Sequence, residues 1–309
     1  MFKKYLIIFS VLILTTVSFS AQRLPLGEVF TSSTCGPCAT AWNQLNPYWP
    51  SHLDDMIMVA YHVWWPAPGN DPMYAFNSSE SAARVNYYGV NAAPSMFDNG
   101  TQDGSSFSSW GPNLVASGSN SSPLSIEITG YYDDYWKTGQ VEVAILPELI
   151  VSNTVLHVVL IEMDIHYTGT NGDPIHNFVM RDMIPNASGT SVSLTTGITT
   201  TINLDFDVPD VVDDTNAKIV AFVQNVNTKQ VYNAAVISVS SIVLDCPNLA
   251  GDVGGDGAVT VEDLVRLVNI ILGQGEPPEN CEIDGSDVNN DSEVNILDLV
   301  QIVDIILGT

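Results

Sequence analysis

The sequence predicts a multidomain chain. An α/β domain is expected at residues 23–118, an all-β sandwich at 124–244 and a small α module at 246–309. Three observations carry this. Strand-like and helix-compatible runs mix in the first segment, and short β-branched runs punctuated by Gly, Asn, Asp and Pro fill the second. The third segment repeats itself at a constant offset of 35 residues.

The chain opens with Lys3 and Lys4, runs apolar over 5–17 and reaches the small residues Ser18, Ser20 and Ala21. A basic start, an apolar run too short for a bilayer and a small-residue exit describe a secretory signal peptide, residues 1–20. No later stretch is long and apolar enough to span a membrane once the signal is cut. The expected location is therefore the periplasm, the cell surface or the medium, where disulfides persist.

Nine Lys and Arg against 35 Asp and Glu leave a net charge of −26. That excludes a nucleic-acid partner, which needs a basic surface, and favours capture of a hard divalent cation. Residues 246–309 hold 13 of the acids and one base, Arg266.

In the α/β segment, 24–30 and 56–63 are strand-like, 39–49 and 74–88 are helix-compatible, and 116–123 is a soft linker rich in Ser, Gly and Asn. Cys35-Gly36-Pro37-Cys38 sits between a strand and a helix. There the helix dipole and the unpaired N–H groups of the first turn favour a thiolate on Cys35, with Cys38 as resolving thiol. A structural disulfide is the rival reading. A zinc site lacks a second Cys pair and any His at ligand spacing. The aromatic run Tyr61-His62-Val63-Trp64-Trp65-Pro66 is either a groove beside this pair or ordinary packing. In the middle segment, strands are expected at 125–129, 140–145, 154–161, 199–206, 217–224 and 231–239. His176 and Arg181 have no nucleophile nearby in sequence, so a structural bond is the better reading of both.

In the repeat, residues 252–273 align with 287–308 without a gap, each copy an acidic loop followed by a helix with apolar positions at helical spacing. Oxygen donors at positions 1, 3, 5, 9 and 12 of such a loop, with a carbonyl at position 7, can wrap one Ca²⁺. The first loop offers Asp252, Asp256, Thr260, Asp263 and the Ala258 carbonyl. The second offers Asp287, Asn289, Asp291, Asn295, Asp298 and the Glu293 carbonyl. Two Ca²⁺ sites are expected. Cys246 and Cys281 precede the two loops, and a disulfide joining them is the simplest reading in an exported protein.

These loops, with Asp at position 12, resemble a type I dockerin domain over all of 246–309. Three positions depart from the pattern. Gly254 removes a ligand from the first loop, and Ser292 replaces the turn glycine of the second. Val261-Glu262 and Ile296-Leu297 stand where the partner-contacting pair is often Ser-Thr. The resemblance implies docking on a cohesin-like protein, as in a polysaccharide-degrading complex. No motif places a glycosidase carboxylate pair.

Cys35-Gly36-Pro37-Cys38, together with Val90-Asn91-Ala92-Ala93-Pro94 and the strand and turn after it, resembles the thioredoxin fold. The resemblance implies that Pro94 is cis and faces the cysteines in a loop that holds substrate backbone, and that Cys35–Cys38 exchanges with a protein disulfide or dithiol. Thr34 replaces the aromatic residue before the first cysteine. Val29 stands where the family buries an acid, and Glu28, one residue away, faces the other side of the strand. The runs 160–162, 176–181 and 221–231 resemble the β domain of the twenty-eight-kilodalton outer membrane protein family, whose members join a thioredoxin-like part to it. Three functions stand: an exported thiol–disulfide oxidoreductase tethered by a calcium module, a non-enzymatic surface or assembly protein with a fixed Cys35–Cys38 disulfide, or a cohesin-docked component of a polysaccharide-degrading complex.

Overall fold

The computed structural model describes residues 21–67, 69–134, 137–243, 250–254, 257–274, 282–291 and 293–308. The expected signal peptide, the expected Cys246–Cys281 disulfide and the loop residue Asp256 lie outside the described residues.

The N-terminal part runs β1 (Leu26–Thr31), α1 (Gly36–Leu45), β2 (Ile57–His62), α2 (Pro72–Phe76), α3 (Ser78–Tyr88), β3 (Ser95–Asp98), β4 (Thr101–Gln102) and α4 (Phe107–Ser117). Helix α1 starts earlier than its apolar periodicity suggests, because Cys35 caps it and Pro37 fits its first turn. The single helical run expected over 74–88 divides at Asn77. That side chain accepts from Glu80 N and donates to Glu80 Oε2 at 2.7 Å and to Arg181 O at 3.1 Å, bonds that compete with a continuous helix.

Strand after strand follows: β5 (Leu124–Asp133), β6 (Thr138–Pro147), β7 (Thr154–Glu162), β8 (Ile165–His166), β9 (Ile175–His176) and β10 (Val179–Ile184). Then come β11 (Thr190–Val192), β12 (Thr200–Asp207), β13 (Ala217–Asn225) and β14 (Val231–Ser238).

The boundary between the α/β and strand-rich segments is one of chain and not of sheet. One nine-stranded sheet runs β14-β13-β7-β10-β2-β1-β3-β4, with β11 added against β7. The join is β10 on β2, parallel at Val179 and Ala60, with Ala60 N donating to Phe178 O at 2.7 Å. Strands β12-β6-β5 form a second sheet, and β8-β9 a short ribbon.

The strand-rich segment therefore shares one layer with the α/β part. Its strands explain how. β7 is buried on both faces, with Val159 and Ile161 in one core and Leu156, Val158 and Leu160 in another. β13 divides likewise, Val220 and Phe222 to the first and Ile219, Ala221 and Val223 to the second. Near-continuous apolar runs are what a strand walled by two cores requires.

At the C-terminus, α5 (Val261–Ile271), α6 (Glu282–Ser286) and α7 (Ile296–Leu307) close on a small core of Val253, Leu267, Val288 and Ile302. Arg266 grips Glu282 through Nε–Oε1 at 2.9 Å and Nη2–Oε2 at 2.6 Å, tying α5 to α6. Among the described residues, no helix is long and apolar enough to cross a membrane.

Candidate functional site

Strand β1 delivers the chain to the Cys-x-x-Cys turn. Cys35 is extended (φ −100°, ψ 110°) and caps α1, and Cys38 N donates to its Sγ at 3.2 Å. Cys35 and Cys38 are joined as a disulfide with Cα atoms 5.2 Å apart. Cys35 is 3% exposed and Cys38 fully buried, while Gly36 and Pro37 face solvent. The Ala93–Pro94 peptide is cis, and Ala93 O lies 3.5 Å from Cys35 Sγ. The disulfide sulfur has no proton to donate, so this is a contact between sulfur and carbonyl.

Beneath the turn lies a buried polar cluster. Asp71 Oδ2 accepts from Ser33 N at 2.7 Å and lies 2.7 Å from His62 Nδ1. Its other oxygen caps α2 by accepting from Met73 N at 2.9 Å and Tyr74 N at 3.3 Å. Burial alone would raise the Asp71 carboxyl. The hydrogen bond and charge of His62, with the Ser33 and Tyr74 N–H groups, outweigh it and hold the group well below the usual carboxylate range. His62 also meets His176, ring centroids 5.5 Å apart. Burial first, then the repulsion of His62, holds His176 below the ordinary histidine range, against Asp173, Asp71 and the Tyr167 carbonyl.

A pH dependence follows from Asp71. Its folded value lies below its unfolded one, near about 3.9. The stability it supplies is therefore complete above that pH and is lost as the pH falls below it. Urea unfolding of the protein and Asp71→Asn should diverge at pH 7 and converge toward pH 2. Parallel curves across that range would remove the assignment.

Above the turn, the loop between β8 and β9 reaches over from the strand-rich part. Asn171 Nδ2 donates to Ser32 O at 3.1 Å and Cys35 O at 3.3 Å, and Asn171 N donates to Ser33 O at 3.1 Å. Sequence reasoning missed both holds. Asp71 before Pro72 carries a helix-start signal that could have found it. Asn171 stands 136 residues from Cys35 and carries only a turn signal, Asn-Gly.

On β1, Val29 is fully buried and apolar. Glu28 faces the opposite side of the sheet, where it pairs with Arg84 and accepts from Tyr88 Oη. His176 and Arg181 are structural. His176 Nε2 bonds Tyr167 O at 2.9 Å, and Arg181 Nε donates to Glu162 Oε2 at 2.6 Å. The Tyr61–Pro66 run divides. Tyr61 is core, whereas Trp64 is 41% exposed and tilted against Tyr74 at 5.6 Å.

In the first acidic loop, Asp263 Oδ1 accepts from Gly254 N at 2.8 Å, and its Oδ2 from Thr260 N at 2.7 Å. Asp252 Oδ2 accepts from Gly257 N at 2.7 Å. In the second, Asp298 Oδ1 accepts from Asn289 N at 3.3 Å, and its Oδ2 from Asn295 N at 2.9 Å. Asp287 and Asn289 both accept from Asp291 N, and Asp291 Oδ1 from Glu293 N at 2.9 Å. Thr260 and Asn295 each cap the helix that follows. Ala258 and Glu293 sit exposed at the seventh positions. Among the described residues, no three His, Cys, Asp or Glu are gathered as a metal cluster. The donor chemistry fits a hard cation. The side-chain donors are all oxygen, and Asp252, Asp263 and Asp298 are 4%, 3% and 0% exposed.

The fold and site define a Cys-x-x-Cys disulfide at a helix N-terminus, set against a mixed sheet that continues into the strand-rich part and followed by two loop–helix repeats. The chain belongs to the outer membrane protein Omp28 family, whose model matches residues 81–245. Residues 250–307 match the dockerin type I domain. Among solved structures, HBP35 of Porphyromonas gingivalis is 15% identical over 73% of this chain and 78% of that one, with a TM-score of 0.62, and so shares the fold. A protein from Agrobacterium tumefaciens is 15% identical over 72% and 96% of the two chains, at a TM-score of 0.49. A domain of the outer membrane lipoprotein Omp28 from Porphyromonas gingivalis is 17% identical over 38% and 95%, at 0.30. No curated protein matches the chain.

Proposed function

We propose that this is an exported protein with a thioredoxin-like exchange centre at Cys35–Cys38, held in place by a calcium-dependent docking module. The observation that carries the reading is the disulfide at the N-terminus of α1 with the Ala93 carbonyl 3.5 Å from Cys35 Sγ. In the dithiol form, the first-turn N–H groups favour a Cys35 thiolate. That thiolate attacks a substrate disulfide, forming a Cys35–substrate bond and releasing one substrate thiol, which takes a proton. Cys38 then gives up its proton and attacks Cys35 Sγ. The second substrate thiol leaves, and the Cys35–Cys38 disulfide is restored. Two electrons pass to the substrate. The run backwards oxidises a substrate dithiol. The Ala93 carbonyl beside the sulfur is placed to accept from a substrate backbone N–H. With Val29 in place of an acid, the Cys38 proton has no carboxylate beneath it on β1.

Insulin reduction driven by dithiothreitol should be faster with the wild type than with Cys35→Ser. Equal rates would remove the enzymatic reading. One observation favours the second reading, a fixed disulfide in a surface or assembly protein: Cys35 is only 3% exposed. A reduction midpoint below about −300 mV would mark a structural bond, and one near that of thioredoxin, about −270 mV, an exchange centre.

The C-terminal loops would each take one Ca²⁺. Asp252, Asp256, Thr260, Asp263 and the Ala258 carbonyl would hold the first, and Asp287, Asn289, Asp291, Asn295, Asp298 and the Glu293 carbonyl the second. Gly254 supplies no side-chain oxygen, so the first site is the weaker. The bound cations would brace the α5–α7 pair as the docking face for a cohesin-like protein.

A further inference from the structure

We infer that the β8–β9 loop is a strap over the disulfide and that Asn171 is the positioning residue setting how readily Cys35–Cys38 opens to thiols. For its purpose the inference rests on the exchange reading of this pair.

The strap holds every carbonyl that leads into the disulfide except that of Thr34. Asn171 takes those of Ser32 and Cys35 with its side chain and that of Ser33 with its main chain. Gly169 lies so close that a Cβ there would stand 2.0 Å from Ser33 O. The strap is itself braced. Asn171 Oδ1 accepts from Asp173 N at 3.0 Å, Gly172 N donates to Gly169 O at 3.0 Å, and Tyr167 N to Pro174 O at 3.1 Å. Its base returns through His176, bonded to Tyr167 O and packed on His62, to the Asp71 carboxylate that holds Ser33 N from below. The turn at residues 32–35 is thus gripped from both sides by one closed ring of contacts. The strap belongs to the stretch matched by the Omp28 family, and the two cysteines lie before it. The family's β part therefore supplies a control element for a disulfide outside it.

Exchange requires an incoming thiolate in line with the S–S bond at Cys35, whose sulfur faces Ala93 O and whose residue is 3% exposed. Opening the turn means breaking the Asn171 bonds. Losing the two from its side chain corresponds to roughly a ten- to thirtyfold shift in the opening equilibrium.

The test is the rate at which dithiothreitol reduces Cys35–Cys38 in the full chain. One reagent thiolate attacks Cys35 Sγ, and Cys38 leaves and takes a proton. The second reagent thiol loses its proton and displaces Cys35, so the reagent ends as its cyclic disulfide and the protein as the dithiol. Alkylation followed by peptide mass mapping reports the 35–38 pair by itself. Asn171→Ala should accelerate reduction at least about tenfold, and Gly169→Ala, which pushes the strap off through its main chain, should act in the same direction. Amide exchange at residues 32–38 should rise while β7 and β13 keep their protection. Wild-type rates in both folded variants would overturn the strap, as would acceleration with equal loss of protection in β7 and β13. Failure of the exchange reading is separate, because it shows as equal insulin reduction by wild type and Cys35→Ser whatever the strap variants do.

Discussion

Arg84→Met should destabilise the protein by about 3–5 kcal/mol, because it leaves the Glu28 carboxylate charged and buried without its partner. Arg84 is 1% exposed and Glu28 fully buried. The guanidinium donates through Nε to Glu28 Oε1 at 3.1 Å and through Nη2 to Gln224 Oε1 at 3.3 Å, and it lies 4.7 Å from the Tyr87 ring centroid. Gln224 in turn donates to Tyr88 Oη at 2.8 Å and to Lys229 O at 2.7 Å. The cluster pins α3 to β1 and to β13, across both halves of the sheet. Urea unfolding followed by circular dichroism gives the number. The double variant Glu28→Leu with Arg84→Met should recover most of the loss, since it removes the stranded charge along with its partner. A single-variant loss under about 1 kcal/mol would show that Glu28 does not depend on Arg84. Insulin reduction by the folded fraction should be unaffected, because the cluster lies on the face of β1 away from α1.

The second large effect is expected at Asp298. Its side chain is fully buried, with both oxygens turned into its own loop. Asp298→Asn keeps an oxygen for the helix cap and removes the charge. Calorimetric titration of the wild type with Ca²⁺ should resolve two sites. The variant should weaken the second on the order of 100-fold or more, since losing even an outer partner of a metal costs ~10–100-fold. Asp263→Asn should do the same at the first. Added Ca²⁺ at about 100 times its dissociation constant should stabilise the module by ~2.7 kcal/mol for each site filled, and a chelator should reverse it. Absence of any calcium-dependent heat or stabilisation in the wild type would sink the two-site proposal.

Much of this molecule is legible in short stretches of sequence. The repeat shows because each loop keeps its oxygens at fixed spacing, and both family matches fall where the motifs pointed. Cys35, Cys38 and Pro94 stand out because their chemistry is local: a helix start and the residue before a strand. What surrounds them is not local. Asn171 meets Cys35 across 136 residues, Gln224 meets Arg84 across 140, and Val179 pairs with Ala60 through a strand carrying Arg181 and Asp182 at its centre. No periodicity encodes such meetings. They follow from β10 taking the edge of β2. A single sequence records that only as a short, half-polar run with a register shift after Met180.

The shared sheet has a consequence for the order in which the molecule can be built. As the chain emerges from its N-terminus, β1 and β2 are complete by residue 62, yet the outer edge of β2 waits for Val179. For more than a hundred residues of synthesis, that edge is an open ladder able to recruit other chains. Passage through an export channel unfolded, with folding begun only after residues 179–184 have crossed, would close it in one step. A fragment ending just after α4 would carry the open edge permanently. Residues 21–243 hold both that closed edge and the two cores it separates.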